Sequence, residues 1–493
     1  MILPLFVAVP LTAAALAVIA PWRWLRSLLF LVVPFLGIPA GVWLFTQGTI
    51  GHNVGLYPGG VSIAFAADQF TALFVITTSV VALTANWFAF VSGEITARFY
   101  PALTLMLIAG VNGALLTADL FNLFVFIEVM LLPSYGLMAM TGTRSRLAAG
   151  RTFVLSNLFA STLLLIGAGL VYAVSGTVNY AALAGAADHG PLVVAMGVVV
   201  IALAVKAGVV PLHTWLPRTY PATSSAVMGL FSGLHTKVAV FVLYRLYVVV
   251  FDADERWSWF IIAVMCVSML IGGFAGLGER TIRRVLAYQM VNGMPFILVM
   301  LAFGTEAALA AGMLYALHHM ITVGSLVLTT GAIEETYGTG TLSKLYGLAR
   351  RDPITSTVWA AGAFSVVGFP PFSGMWGKVG VVFAAAEPGD TRSWLVISVV
   401  IVASIGALLS MLRVWRKVFW GKPMGRYSAS LGVTWAKLLP GLSLMVVSVG
   451  MFFAAAPLTD AIDTAAQALL DVPSYVSAVF GTTDPIGVVN ASV

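Results

Sequence analysis

Long apolar stretches recur along the whole chain, each near the twenty residues that an α-helix needs to cross a bilayer. Of the 493 residues, 60% are hydrophobic and only 9% are charged, whereas an ordinary soluble chain is about 25% charged. The sequence therefore predicts an all-α polytopic membrane protein. We place about fourteen spans, at residues 3–20, 26–46, 66–92, 101–118, 121–140, 152–174, 192–217, 222–250, 258–278, 283–302, 306–331, 354–386, 394–415 and 437–456.

The basic residues indicate the direction of the spans. Almost all lysines and arginines that lie between spans follow odd-numbered spans, and only Arg256 and Arg392 follow even-numbered ones. Because basic connections stay in the cytoplasm, both termini are predicted to be extracytoplasmic, and residues 457–493 form an extracytoplasmic tail. The basic composition follows from this topology. Without a basic stripe that interleaves with aromatic residues, nucleic-acid binding is not expected.

Two predicted spans contain proline and glycine clusters that interrupt a helix, because proline removes a backbone donor and clashes with the preceding turn. Span 7 contains VKAGVVPLHTWLP and span 12 contains VVGFPPFSGMWGK. The residues that we assign to the interruptions are Gly208, Pro211, Pro370, Pro371 and Gly374. Spans 7 and 12 lie five spans apart and run in opposite directions. Residues 101–250 (spans 4–8) and 258–415 (spans 9–13) are therefore predicted to be two inverted five-helix repeats, a recurrent transporter design.

Ionisable side chains inside membrane spans are costly and usually functional. The candidates are Glu128, Lys206, Lys237, His235, His318, His319 and Lys378, with His213 just beyond the interruption of span 7 and Tyr135 on the helical stripe of Glu128. Each one alone has a structural explanation, since a buried lysine can be a counter-ion and a histidine can be a hydrogen-bonded core residue. Arg245, near the outer end of span 8, is predicted to snorkel.

The spread of these candidates over both halves favours proton handling. Burial disfavours an ammonium group, and a nearby carboxylate favours it. Making or breaking one carboxylate–lysine contact can therefore move a lysine between a proton-holding and a proton-releasing state.

Enzymatic and metal functions lack their sequence signals. The chain has no GxGxxG fingerprint, no Walker A loop and no GxSxG elbow. Its one cysteine, Cys266, excludes an intrachain disulfide and a cysteine-ligated cluster. The adjacent histidines have no carboxylate within the spans at ligand spacing. Neither a cofactor nor a metal is expected, and the chain is not expected to be an enzyme.

Three segments resemble the antiporter-like subunits shared by Mrp-type cation/proton antiporters, respiratory complex I and membrane-bound hydrogenases. They are FNLFVFIEVMLLPSYGLMAM (121–140), VKAGVVPLHTWLPRTYPATSSAVMGLFSGLHTKVAVFVLYR (205–245) and GFPPFSGMWGK (368–378). The wording of the first segment and the lysine at 378 are most similar to the D-type subunits of Mrp antiporters.

The resemblance implies a fourteen-helix core with a polar axis. It implies these roles: Glu128 paired with Lys206, Lys237 central, His318 or His319 as the relay of the second half, and Lys378 on the exit side. Many relatives carry a lysine one turn after the histidines, where this chain has Val323.

The function that the resemblance implies is proton translocation, with sodium translocation as an open alternative, within a multisubunit Na⁺ (or Li⁺, K⁺)/H⁺ antiporter of a prokaryotic plasma membrane. The implied partners are subunits A, B, C, E, F and G of that antiporter. Two alternatives stay open. One is a proton-pumping membrane subunit of a complex I-like NADH:quinone oxidoreductase or membrane-bound hydrogenase, which would use the same residues. The other is a structural scaffold, in which the buried lysines would be dispensable.

Overall fold

Apolar helices account for most of the chain, as its composition predicts. A computed structural model describes residues 2–57, 59, 62–140, 142–188, 190–422, 424–425, 427–428 and 430–481. Within these ranges, eleven helices are long and apolar enough to cross a membrane, and three shorter apolar helices are Leu5–Ile19, Tyr100–Leu116 and Pro353–Val367. Together they correspond one to one with the predicted spans, so the fold class is confirmed: the chain is a multi-pass helical membrane protein.

The helices keep the predicted order and differ from the predicted bounds mainly at their ends. Spans 1 to 6 are Leu5–Ile19, Arg23–Thr46, Gln69–Val91, Tyr100–Leu116, Leu120–Ala139 and Arg144–Ser175. Spans 7 to 11 are Gly190–Ala207, Ser225–Gly233 with His235–Val249, Ser258–Ala275, Ile282–Leu298 and Glu306–Tyr337. Spans 12 to 14 are Pro353–Val367 with Ser373–Ala386, Thr391–Val414 and Trp435–Phe453. Short helices Trp215–Thr219 and Leu348–Arg351 lie in connections.

Both predicted interruptions are present. Span 7 stops at Ala207, where Gly208 adopts a positive φ of 72°, and Pro211 lies in the non-helical segment that follows. Span 12 stops at Val367, where Gly368 has a φ of 102°, and it resumes at Ser373. Pro370 and Pro371 lie between the two halves.

The assignment of Gly374 to the interruption is wrong, because this residue lies inside the second half of span 12. Its missing side chain serves packing instead. A Cβ atom at this position would lie 1.7 Å from the carbonyl oxygen of Ser365 and 2.8 Å from the His318 ring. Gly374 therefore lets the two halves of span 12 and the His318 ring approach each other.

A third interruption was not predicted. Span 8 breaks at Leu234, whose φ and ψ of −109° and −58° separate the helices Ser225–Gly233 and His235–Val249. The sequence contains no proline there, but the break directly follows the pair Ser232 and Gly233, and Gly/Ser pairs are among the recognised sites of helix kinks.

The segment after span 14 is helical rather than a simple tail. Helices Ala455–Leu470 and Val472–Phe480 follow, and the second packs on a two-stranded antiparallel hairpin, Ile50–Asn53 with Ala64–Ala67. The Asn53 side-chain amide donates to the carbonyl of Val479 at 3.0 Å. The remainder of the predicted tail, 482–493, lies outside the described residues.

The prediction that Arg245 snorkels is wrong. Its side chain is 3% exposed and forms an ion pair at 2.7 Å with Asp68, which is fully buried. The guanidinium also lies over the ring of Tyr475, 4.7 Å from the centroid. Asp68 itself caps the N-terminus of span 3. This pair therefore connects span 3, span 8 and the C-terminal helix.

Arg245→Ala should lower the free energy of unfolding by about 3–5 kcal/mol, because it leaves the Asp68 carboxylate buried without its partner. Denaturant unfolding of the purified protein in detergent measures this change. Arg284→Ala, which removes a half-exposed partner 3.3 Å from Glu279, is the matched control and should cost less than about 1 kcal/mol. Equal losses in the two variants would contradict the structural role of the Arg245 pair.

Candidate functional site

Lys237 lies at the centre of the predicted polar residues. Its side chain is fully buried, and its Nζ atom has three neighbours that match the three donors of an ammonium group. These are the Nδ1 atom of His319 at 2.9 Å, the carbonyl of Ser232 at 3.1 Å and the hydroxyl of Thr236 at 3.4 Å. The contact with His319 joins span 8 of the first half to span 11 of the second half.

The two adjacent histidines of span 11, His318 and His319, contact different neighbours. Consecutive residues of a helix project about 100° apart, so His319 faces spans 8 and 10 while His318 faces spans 12 and 14. The Nε2 atom of His319 lies 3.3 Å from the carbonyl of Gln289 in span 10. Gly293, one turn further along span 10, packs directly on the ring, since a Cβ atom there would lie 1.9 Å from Nε2.

His318 belongs to a closed ring of buried hydroxyl groups. Its Nδ1 atom lies 2.8 Å from the Ser373 hydroxyl and 3.2 Å from the Thr322 hydroxyl. The ring continues from Ser373 to Ser448 at 2.7 Å, from Ser448 to Ser365 at 3.2 Å, and from Ser365 to Thr322 at 3.0 Å. Spans 11, 12 and 14 all contribute to it, so span 14, which lies outside both predicted repeats, takes part in the site.

Lys378 lies at the interruption of span 12. Its Nζ atom donates to the carbonyl of Val367 at 2.9 Å and to the hydroxyl of Ser404 at 2.7 Å, and it lies 5.0 Å from the ring centroid of Phe296. Val367 is the last residue of the first half of span 12. Because carbonyls at a helix C-terminus lack a partner in their own helix, the interruption supplies an acceptor for the ammonium group.

The same relation holds for Lys237. Ser232 lies in the last turn of the helix that stops at Gly233, and its carbonyl accepts from Lys237. Negative partial charge at a helix C-terminus favours cations. The unpredicted break in span 8 therefore has a function in the site: it presents a carbonyl to the central lysine.

The first-half residues are gathered around Lys206 without direct hydrogen bonds to it. Lys206 is buried in the last turn of its helix, just before Gly208. Within the described ranges, neither its Nζ atom nor the Oε1 atom of Glu128 has a hydrogen-bond partner. The implied Glu128–Lys206 contact is thus not a direct hydrogen bond, although the two charges are close enough to attract each other.

His235 is held by Ser134 of span 5. The two side chains lie 2.8 Å apart, and the Ser134 hydroxyl donates its single proton to the carbonyl of Met130 at 2.7 Å. His235 therefore donates from Nε2 to Ser134, which leaves Nδ1 as the proton acceptor of the neutral ring. His235 is also within electrostatic range of Lys206.

The auxiliary candidates are less well connected. His213 is buried in the non-helical segment after span 7. Tyr135 is half-buried, and its ring packs edge-on against Phe153 at 5.7 Å. Among the residues that the structure describes, neither side chain forms a hydrogen bond with another candidate.

Sequence reasoning missed the hydroxyl groups of this site. Serine and threonine are common in membrane helices, so a hydroxyl by itself carries no signal. A usable signal was the spacing of Thr322 and Ser325 after His318, at four and seven residues, which places all three on one helical face.

A bundle of apolar helices, with interrupted spans beside buried ionisable side chains, defines the transporter class of polytopic membrane proteins. Residues 117–406 match the transmembrane family described as NADH:quinone oxidoreductase/Mrp antiporter, and the chain belongs to this family.

Relatives and solved structures agree with this assignment. The D-type subunits of the Na⁺/H⁺ antiporters of Alkalihalophilus pseudofirmus and Bacillus subtilis are each 31% identical, over 88% of this chain and 89% of the relative. A chain in the structure of the Mrp complex from Dietzia sp. is 40% identical, with a TM-score of 0.92, over 97% of this chain and 99% of that chain. A chain of respiratory complex I from Thermus thermophilus, 24% identical with a TM-score of 0.78 over 95% of this chain and 99% of that chain, shows the shared fold.

Gly293→Ala should displace the His319 ring, because the added methyl group would overlap its Nε2 atom. Overpacking of this kind costs about 1–3 kcal/mol, so the unfolding midpoint in denaturant should fall. Gly197→Ala is the matched control, since no described atom lies within 4 Å of a Cβ atom at that position. An unchanged midpoint for Gly293→Ala would contradict the close packing of span 10 on His319.

Proposed function

We propose that this chain is a proton-translocating subunit of a multisubunit monovalent cation/proton antiporter in a prokaryotic plasma membrane, with sodium as a second candidate for the ion that it carries. The observation that carries the proposal is the Lys237–His319 contact at 2.9 Å, which joins the ionisable groups of the two halves. Membership of the family and the 31–40% identity to antiporter proteins support the same function.

Proton transfer across the centre needs one bond to break and one to form. When the Nε2–H of His319 donates to the Gln289 carbonyl, its Nδ1 atom is the acceptor that faces Lys237. Breaking a Nζ–H bond of the Lys237 ammonium and forming the Nδ1–H bond gives a neutral lysine and an imidazolium. The Ser232 carbonyl and the Thr236 hydroxyl remain neighbours of the Lys237 Nζ atom both when the lysine is charged and when it is neutral.

The first half would load this centre. The Glu128 carboxylate attracts the Lys206 ammonium across a gap, and no hydrogen bond between described groups fixes the pair. A coulombic attraction of this kind changes by about 4 kcal/mol when two unit charges move apart from 4 Å at an effective dielectric near 20. Movement of Glu128 relative to Lys206 would therefore control when Lys206 passes its proton to His235 and Lys237.

The second half would carry the proton from His319 to His318 and then to Lys378. His318 and Lys378 are within electrostatic range of each other. A cavity of about 360 Å³ lies beside Lys378, lined by residues that include Val382, Ile401 and Ser404. Lys378 is the last ionisable residue of this series, which agrees with an exit-side role.

Assembly and orientation would follow the same family pattern. The partners would be subunits A, B, C, E, F and G of an Mrp-type complex, and the coupled cation would be Na⁺, Li⁺ or K⁺. Both termini and the C-terminal helices would lie outside the cell, with spans 4–8 and 9–13 as inverted repeats. The basic connections that follow odd-numbered spans support this orientation.

The alternative, a proton-pumping subunit of a redox complex, has weaker support. The likeness to chains of respiratory complex I and of the sulfane sulfur reductase complex is at 24% identity, against 40% for the Mrp complex.

Lys206→Ala and Lys237→Ala should each reduce antiport to less than about a tenth of the wild-type rate, because each removes a proton carrier that no neighbouring side chain replaces. Na⁺-dependent dissipation of ΔpH in inverted vesicles that contain the whole complex measures this rate. Assembly is checked by co-purification, and Lys417→Ala, at an exposed residue in the helical turn that continues span 13, is the control. Wild-type antiport in both lysine variants would refute the proposed function.

Glu128→Gln keeps the shape of the side chain and removes its charge. Since the Lys206 ammonium then loses the attraction of the carboxylate, the pH dependence of antiport should shift toward lower pH. Antiport rates between about pH 6 and 9.5 in the same vesicles measure the shift. Glu255→Gln, at a carboxylate that is 76% exposed, should leave the profile in place. An unchanged profile for Glu128→Gln would show that Glu128 does not act on Lys206.

A further inference from the structure

Span 11 carries a row of hydroxyl groups that continues from His318 along the rest of the helix. Thr322, Ser325 and Thr329 follow His318 at intervals of four, three and four residues, which places them on one helical face. All three are fully buried. We call this row, where span 11 packs against span 14, the hydroxyl seam.

The hydroxyls of the seam face side chains and neighbouring spans instead of the carbonyls of their own helix. Serine and threonine in helices often donate to the carbonyl four residues earlier, as Thr77, Thr84 and Thr336 do here. In contrast, Thr322 contacts side chains of the His318 ring, and Ser325 donates to the carbonyl of Gly441 in span 14 at 2.7 Å.

Thr329 has the most informative environment. Its hydroxyl is completely buried and has no hydrogen-bond partner among the described residues. It points at span 14, since a Cβ atom on Gly441 would lie 2.5 Å from it. An unpartnered hydroxyl in an apolar interior costs about 1–3 kcal/mol. Such a group, placed in line with two other hydroxyls and a histidine, indicates a path for a polar species.

The far end of span 11 opens on a polar cavity of about 490 Å³. Its lining includes Arg283, Glu334 and Glu335. The Arg283 guanidinium forms an ion pair with Glu334 at 2.7 Å, and Lys437 of span 14 lies 4.0 Å from Glu335. The cavity lies at the connections that follow spans 7, 9 and 11, which the basic residues assign to the cytoplasm. About 8 Å of helix separates Thr329 from the glutamates.

We propose that the hydroxyl seam is the cytoplasmic branch through which protons pass between the Glu334/Glu335 cavity and His318. This inference rests on the proposed function, because it gives a route to the second-half relay of the same proton path. Titratable glutamates lie at the cytoplasmic end of this row, three buried hydroxyls lie along it, and the His318 imidazole lies at its inner end.

The transfer itself balances at every hydroxyl. Each oxygen takes a proton from the cavity side and gives its own proton to the next group, so one O–H bond forms as another breaks. For its step, the Ser325 hydroxyl turns its proton from the Gly441 carbonyl toward Thr322. The Cβ atoms of residues one turn apart on a helix are about 5–6 Å from each other, so one bridging water molecule can join hydroxyls on neighbouring turns. At the inner end the Thr322 hydroxyl lies 3.2 Å from Nδ1 of His318, and the ring through Ser373, Ser448 and Ser365 allows Thr322 to reorient without losing a partner.

Thr329→Val and Thr322→Val test the proposal, because valine keeps the branched shape and removes the hydroxyl. Each should lower the antiport rate at least tenfold in inverted vesicles that contain the whole complex, while the Na⁺ concentration for half-maximal rate stays the same. Thr329→Ser, which keeps the hydroxyl and loses the methyl group, should restore more than half of the rate. Thr77→Val in span 3 is the matched control, since the buried Thr77 hydroxyl donates to the carbonyl of Leu73 in its own helix at 2.8 Å, and it should keep the wild-type rate.

Antiport within threefold of the wild-type rate in Thr329→Val would overturn the seam, and so would an equal loss in Thr77→Val or in Thr329→Ser. If Thr322→Val disrupts assembly on co-purification, the Thr329 pair of variants decides alone. The failure of the seam and the failure of the proposed function are distinguishable. An active Thr329→Val complex beside an inactive Lys237→Ala complex rejects only the seam, whereas an active Lys237→Ala complex rejects the function.

Discussion

A buried ammonium group needs acceptors, and this requirement organises the interior of the chain. An isolated charge is too costly to bury without hydrogen bonds. Lys237 and Lys378 obtain theirs from carbonyls in the last turn of a helix that has been interrupted, at Ser232 and Val367. The interruptions of spans 8 and 12 are therefore part of the site, because an unbroken helix would use those carbonyls for its own hydrogen bonds. Lys206 also lies in the last turn of a helix that stops early, yet its Nζ atom has no hydrogen-bond partner in the described part of the chain.

The connection between the two halves follows from the geometry of one helix. Because adjacent residues on span 11 project in different directions, His319 can reach Lys237 while His318 reaches the hydroxyl ring of spans 12 and 14. Glycines make these approaches possible: Gly293 gives space to the His319 ring and Gly374 to the His318 ring. Span 14 adds Ser448 and the carbonyl of Gly441. The polar interior is thus shared among more helices than those of the two repeats.

Several parts of this picture could be read directly from the sequence. Apolar length is enough to locate the spans, and the proline–glycine clusters are enough to locate the breaks after Lys206 and before Lys378, because both depend on local chemistry. Other parts depend on contacts between residues that are far apart in the chain, and these contacts could not be predicted from the sequence. Arg245 has the sequence context of a snorkelling residue, but Asp68, far away in the chain, draws it into a buried ion pair. The break at Leu234 follows a Ser–Gly pair without a proline, which is a weaker local signal than the proline–glycine clusters of spans 7 and 12.

The sequence by itself determined the class of protein, the number and order of the spans, two of the interruptions and the identity of the ionisable residues, since each follows from hydrophobicity or from the stiffness of the local backbone. Only the tertiary structure decided which of these residues meet. It brings Lys237 into contact with His319. It leaves Glu128 and Lys206 without a direct hydrogen bond between them, and it places Thr322, Ser325 and Thr329 where span 11 packs against span 14. Hydroxyl and carbonyl groups are common along membrane helices, so their role depends on the partner that packing places within about 3 Å, and packing is a property of the whole bundle.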